Sequence, residues 1–287
     1  MSDYVIAIDG GGTKCRACLY SPEGEIVAFS VTGPANIFSD FPLAMANIQD
    51  AIEQIFTQEQ VLNKIEKPEL CILSAGCAGA FISSARMAFK DHFSQYKNVL
   101  VFSDLQASCV AANNNQNCGL VVTGTGSSMA RYFDGEISQF GGHGFLLGDN
   151  ASGAFLGKKL IQDYLLFLDG VLAYDNIFTP LQEKIGDNKS SIVTEFAKST
   201  AVTFAQLARI IIANKNSSHL ASGYLEQSTD YLISMIKQNL SDLPVFLDGG
   251  LASTYLQLLN AKKVEIELQL TENPAEYGAF LLAQESA

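Results

Sequence analysis

The chain has 287 residues, 48% apolar and 17% charged, enough for one large or two modest globular domains. Eighteen Lys and Arg against 30 Asp and Glu leave a formal charge of −12, which argues against nucleic acid or an anionic membrane as partner. No apolar run is long enough to span a bilayer and no basic stretch precedes an apolar one at the N-terminus, so a soluble cytoplasmic protein is expected.

Three strands are expected first, at 4–9, 14–20 and 25–31, with Ser21-Pro22-Glu23-Gly24 turning the second into the third. A helix over 42–56 follows, with apolar residues at 45, 48, 52, 55 and 56. A strand at 70–74, a helix near 81–95, a strand at 98–102 and a helix from about 105 complete the first half. The second half opens in the same way, with strands at 118–123, 127–133 and 137–140. Helices dominate from about 149 to 240, and strands at 244–248 and 263–269 then alternate with helices near 251–260 and 274–284. The pattern βββαβαβα therefore occurs twice, with helical insertions in the second copy. A duplicated α/β fold with a cleft between its halves is the economical expectation. Its domains are expected at 1–113 and 114–287, the final helix, about 274–285, packing back on the first.

The chemistry should gather at the strand ends. Asp9-Gly10-Gly11-Gly12-Thr13-Lys14 follows the apolar run Val5-Ile6-Ala7-Ile8, and Thr123-Gly124-Thr125-Gly126-Ser127 follows Leu120-Val121-Val122. Each reads as strand, glycine turn, strand. Glycines let backbone amides approach an anion, and Thr and Ser add donors. Two such turns suggest one nucleotide held between two copies of one unit. No G-x-x-x-x-G-K-[ST] loop is present, and no G-x-G-x-x-G opens a helix. In an acidic chain the phosphates need backbone dipoles and a divalent metal, which Asp9 can orient, most naturally Mg²⁺ through water. Asp before Gly is also a common hairpin former; the paired turn favours the ligand role.

Asp104 ends the strand Val99–Ser103 and begins a helix, where it can cap, accept a hydroxyl proton during phosphoryl transfer, or do both. Gly141-Gly142-His143-Gly144-Phe145-Leu146-Leu147-Gly148-Asp149 is a glycine-rich loop ending in an acid, suited to sugar hydroxyls, although Asp149 could also merely cap. His143 is open as a base, a stacking surface or an exposed loop residue. Asn36, in Gly33-Pro34-Ala35-Asn36-Ile37, either serves vicinal hydroxyls or forms a turn. Leu247-Asp248-Gly249-Gly250-Leu251 is a third glycine turn, against which a flat base could lie. Cys15 and Cys18 form a C-x-x-C, but no second metal-type pair exists and i, i+3 residues of a strand face opposite sides; six reduced, mostly buried thiols are expected.

These turns, in this order, resemble the sugar kinase, actin and Hsp70 ATPase superfamily. Within it, the stretches 9–17, 34–37, 103–104, 124–127, 141–153 and 247–251 resemble the N-acetylglucosamine and glucosamine kinase group of the BadF/BadG-type ATPase family. The resemblance implies a duplicated actin-like, ribonuclease H-like fold that binds ATP and Mg²⁺. It implies a metal role for Asp9 and nucleotide contacts at Gly11, Gly12, Thr13, Lys14, Gly124, Thr125, Gly126, Gly249 and Gly250. Asp104 would be the base, and Asn36, Asp104, Ser127, Gly142, His143 and Asp149 would surround an aminosugar phosphorylated at its 6-hydroxyl. A homodimer is compatible with it. The cysteine-rich zinc motif of ROK-type sugar kinases is missing. The alternative is an ATPase switch or activator of the same fold with no sugar substrate.

Overall fold

The computed structural model describes residues 3–286. They form two compact units. The first runs from the N-terminus through Cys118 and includes Tyr132–Ile137 and the segment from Thr271; the second is Gly119–Arg131 with Ser138–Leu270.

The first unit opens with β1 (Val5–Gly10), β2 (Cys15–Tyr20) and β3 (Ile26–Thr32), then α1 (Phe41–Phe56) and the short α2 (Glu59–Leu62). β4 (Ile72–Cys77), α3 (Ser83–His92), β5 (Asn98–Ser103) and α4 (Asp104–Ala112) follow. The sheet order is β3-β2-β1-β4-β5, with β1 parallel to β4 and β4 parallel to β5. β1 is apolar along its length because both faces are covered. Ile6 and Ile8 join the cluster under α1, while Val5 and Ala7 face the other way, toward Ala107 and the final helix. Cys15 and Cys18 divide between the same two clusters, so the C-x-x-C is not one site. All six cysteines are buried and unpaired. α1 starts where Asp40 accepts the Leu43 amide at 3.1 Å, and its buried stripe is Ala44, Met45, Ile48, Ala51, Ile52 and Ile55.

The second unit holds β6 (Cys118–Thr123), β7 (Ser127–Phe133) and β8 (Glu136–Gly141), whose ends cross into the first. α5 (Gly153–Leu168), α6 (Phe178–Ile185), α7 (Lys189–Phe196), α8 (Ala201–Ala205), α9 (Ala208–Ala213) and α10 (His219–Asn239) come next. β9 (Val245–Asp248), α11 (Ala252–Ala261) and β10 (Leu268–Leu270) close it. Its sheet order, β10-β9-β6-β7-β8, repeats the first with β6 to β10 in the places of β1 to β5. The duplication is thus explicit in the topology.

α12 (Ala275–Glu285) belongs to the first unit. It crosses α4 so closely that a Cβ on Gly278 would stand 1.9 Å from the Ala107 carbonyl oxygen. The buried Ser74 hydroxyl donates to the Ala279 carbonyl at 2.6 Å, and Glu276, fully buried, receives Arg16 Nε at 2.5 Å. The last helix thus packs on the first unit, as expected, while the first compact unit extends through Cys118 and takes in Tyr132–Ile137 instead of ending at 113.

Local departures from expectation have local causes. The helix expected from about 149 begins at Gly153, because Ser152, not Asp149, caps it by accepting the Phe155 amide at 3.0 Å. The strand expected at 263–269 shrinks to Leu268–Leu270, because Lys263, at φ 52°, ends α11 in a left-handed turn. α2 escaped notice because one helical turn is too short for periodicity to register. Among the described residues no helix is long and apolar enough to cross a membrane.

Candidate active site

In the first unit the ends of three adjacent parallel strands are in register. Gly10 pairs with Cys77 and Cys77 with Ser103, so Asp9 and Asp104 stand at one sheet edge, two strands apart. Strand spacing puts that separation at about 10 Å. The β1–β2 turn closes through the Gly11 amide to the Lys14 carbonyl at 2.9 Å. Gly12, Thr13 and Lys14 are exposed at its tip. The loop after β3 is stitched to this edge: the Ala35 amide donates to Gly11 at 2.8 Å and the Ile37 amide to Ala78 at 3.0 Å. Asn36 lies between those two bonds. Its Oδ1 accepts the amides of Phe38 and Ser39, both at 3.0 Å, which is the turn role; its Nδ2 donors are not used in that turn.

Asp104 is not the cap of α4. Ser103 is, accepting the Gln106 amide at 3.1 Å, while Asp104 Oδ1 accepts the adjacent Leu105 amide at 2.9 Å. Burial raises the Asp104 carboxyl above its ordinary range, partly offset by the Leu105 and Asp104 amides. A basic, positioned carboxylate at a strand end is what proton acceptance requires.

In the second unit the phosphate-type turn and the sugar-type loop are one structure. The Gly153 amide donates to the Gly124 carbonyl at 2.7 Å and the Ala154 amide to Thr125 at 3.2 Å. The Ser127 hydroxyl donates to the Asn150 carbonyl at 2.5 Å, so it holds the loop and keeps only its lone pairs for a ligand. Asp149, at φ 55°, accepts the Gly144 amide at 3.2 Å and lies against Gly126. Its carboxyl is raised by partial burial, against the lowering effect of the Gly144 and Ser127 amides and of His143. Gly142 and His143 are exposed on the loop, away from the cavity described next.

That cavity, about 690 Å³, is lined by Gly124, Thr125, Gly250 and Leu251 together with Lys184, Gln206 and Arg209 from the inserted helices. Two of the three glycine turns thus meet in one hollow of nucleotide size. Lys184, Gln206 and Arg209 escaped the sequence reading because no motif surrounds them. A cation pair in so acidic a chain was the one available signal.

The turn glycines fall into two groups. A Cβ on Gly249, at φ 95°, would come 2.5 Å from the Thr123 oxygen, so the fold itself demands glycine there. A Cβ on Gly12 or Gly250 would meet no atom within 4 Å, and on Gly124 none closer than 3.9 Å. Packing does not require glycine at those positions, and their backbone is open to close approach.

No three His, Cys, Asp or Glu side chains gather as a cage among the described residues. A single half-buried carboxylate, Asp9, is the donor set Mg²⁺ takes when phosphates and water supply the rest. Four of the thiols are held protonated: burial pushes Cys15, Cys18 and Cys71 up to about 12, and Cys77 well above its usual value, whereas the hydrogen bond with Cys109 lowers Cys118.

Comparison with known proteins agrees with this geometry. The chain is 27% identical over 245 residues to the glucosamine kinase GspK of Vibrio cholerae, covering 85% of this chain and 79% of that one. It is 20% identical to an N-acetylmuramic acid/N-acetylglucosamine kinase of Clostridium acetobutylicum, over 98% of both chains. Its fold matches that of a Chromobacterium violaceum protein assigned as an N-acetylglucosamine kinase, with a TM-score of 0.87, 24% identity and 98% coverage of each chain. The model of the BadF/BadG/BcrA/BcrD ATPase family matches residues 6–283, and the chain belongs to that family.

Proposed function

We propose that the protein is an ATP-dependent aminosugar kinase that phosphorylates N-acetylglucosamine or glucosamine at the 6-hydroxyl. The observation that carries this reading is Asp104: a carboxylate raised by burial, freed from capping by Ser103, at the same sheet edge as the Asp9 turn. Such a base can serve an attacking hydroxyl; in an ATPase of the same fold it would serve water, so the choice of acceptor rests on the kinetics below. The kinship to aminosugar kinases supports the substrate class.

In this reading Asp104 accepts the proton of the attacking hydroxyl and orients it toward the γ-phosphate. On the first unit, Thr13 and the amides of Gly11, Gly12 and Lys14 form a turn suited to phosphate oxygens; on the second, Gly124, Thr125 and Gly126 form another. The nucleoside occupies the cavity lined by Gly250 and Leu251, with Gly249 shaping its wall. For a sugar, the first unit offers Asn36 Nδ2 as a donor, and the second offers Asp149 as an acceptor in the loop that carries Gly142 and His143. Ser127 keeps that loop in place. Asp9 would hold Mg²⁺, which neutralises charge on the transferring phosphates.

Steady-state kinetics with glucosamine, N-acetylglucosamine and glucose test the reading. One aminosugar should give the highest kcat/KM, with a product whose phosphate is placed on C6 by NMR. ATP turnover that is flat across the three sugars would overturn it and favour the switch alternative.

A further inference from the structure

A second cavity, about 380 Å³, lies in the second unit, bounded by the segment 145–150, α5 and α10. Its volume is within the range of small-molecule sites, about 300–1,000 Å³. Phe155, Lys158, Lys159 and Gln162 of α5 line it. Their spacing of i, i+3, i+4 and i+7 makes them one stripe, distinct from the core stripe of Leu156, Leu160, Ile161 and Tyr164.

Both lysines line the cavity from α5. Lys158 Nζ lies 5.2 Å from the ring centroid of Phe145, which lines the cavity, and Lys159 Nζ lies 5.5 Å from that of Tyr224, a core residue of α10, the helix that contributes Gln227 to the lining. Among the described residues neither forms an ion pair, and the nearby acids are engaged elsewhere. Asp163 accepts the Tyr224 hydroxyl at 2.5 Å, Glu226 pairs with Lys262, and Asp149 accepts the Gly144 amide. Two half-buried ammonium groups with no ion-pair partner among the described residues are an unusual pairing in a chain of charge −12 and give the cavity its cationic donors. Asn150, Gln162 and Gln227 add amides on the same lining, which suit hydroxyl groups.

We propose that this cavity binds a phosphorylated polyol, its phosphate held by Lys158 and Lys159 and its hydroxyls by the amides. It shares no lining residue with the nucleotide-sized cavity. Gly148 and Asn150, which line it, flank Asp149, and the Asn150 carbonyl is the acceptor of Ser127. Occupancy therefore bears directly on the segment that carries the sugar-binding carboxylate. This regulatory consequence rests on the aminosugar kinase reading; the binding site itself does not.

The test is calorimetric titration with glucosamine 6-phosphate and, separately, with inorganic phosphate. The wild-type protein and the Lys158→Gln/Lys159→Gln double variant are compared. The wild type should bind one more equivalent of glucosamine 6-phosphate than the variant, or bind at least tenfold tighter. Lys158→Arg/Lys159→Arg should retain binding. Inorganic phosphate should compete for the same site more weakly. The variant should keep its kcat while losing the part of inhibition by glucosamine 6-phosphate that sugar does not relieve. Identical stoichiometry and affinity in the double variant would overturn the site. Equal affinity for both probes would overturn the polyol assignment and leave a free-phosphate site. An inactive kinase with an intact titration difference would reject the aminosugar reading but not the site.

Discussion

The Asp149 carboxylate occupies the space a side chain at position 126 would need: a Cβ on Gly126 would stand 2.7 Å from Asp149 Oδ2. The phosphate-type turn and the sugar-type loop are therefore coupled through this pair. Gly126→Ala should push the carboxylate aside and raise sugar KM by roughly ten- to a hundredfold, the worth of one charge-assisted hydrogen bond of about 1.5–3 kcal/mol. Gly12→Ala is the control. Its Cβ has room, so Tm should not change, yet ATP KM should rise because the methyl meets the incoming phosphates. Initial-rate kinetics and thermal melts on both variants check the contrast.

Asp104→Asn should lower kcat by roughly 10²–10⁴ with little change in sugar KM. Its effect on stability runs the other way. Burial raises the folded-state pKa of Asp104, so the ionised carboxylate opposes folding and stability is lost as pH rises through that value. The neutral amide removes the penalty, and the variant should be at least as stable as the wild type at neutral pH. A variant that unfolds easily and retains kcat would show Asp104 to be structural.

The same shift sets a pH profile. With Asp104 as the proposed base, kcat/KM should fall on the acid side with an apparent pKa above the ordinary Asp value of about 3.9. Asp104→Asn should flatten that limb in the residual activity.

Glu276→Ala should destabilise the first unit strongly. Glu276 is fully buried, and its loss would leave Arg16 without its carboxylate while opening space beside Cys18. Removing one partner of a buried pair costs roughly 3–5 kcal/mol, and the partly solvated Arg16 places this case at the low end. A lower urea midpoint with an unchanged m-value is the expected result.

Excess EDTA should abolish phosphoryl transfer, and added Mg²⁺ should restore it. The turns offer mostly neutral donors, and no multi-ligand cage exists among the described residues to retain a metal against the chelator. Full activity in EDTA would refute the role given to Asp9.

The sequence alone determined the repeat. Apolar runs ending in glycine turns, and helices with a 3.6-residue apolar period, are local signals, and both copies of βββαβαβα carried them. Asp9, Gly12, Gly124 and Gly250 were legible for the same reason, since each sits in a short motif directly after a strand. Tertiary structure alone decided the rest. Whether Asp104 or Ser103 caps α4, and whether Asp149 or Ser152 caps α5, turns on hydrogen-bond geometry that neighbouring caps of similar propensity leave undetermined. The packing of α12 on the first unit was expected; the contacts that hold it, Gly278 against Ala107 and Glu276 against Arg16, join residues far apart in the chain and only the structure shows them. Lys184 and Arg209 line one cavity, and Lys158 and Lys159 another, only because helices without any motif fold beside the turns. Local pattern encodes where backbone turns lie; which distant side chains reach them depends on packing, and no spacing rule carries that information.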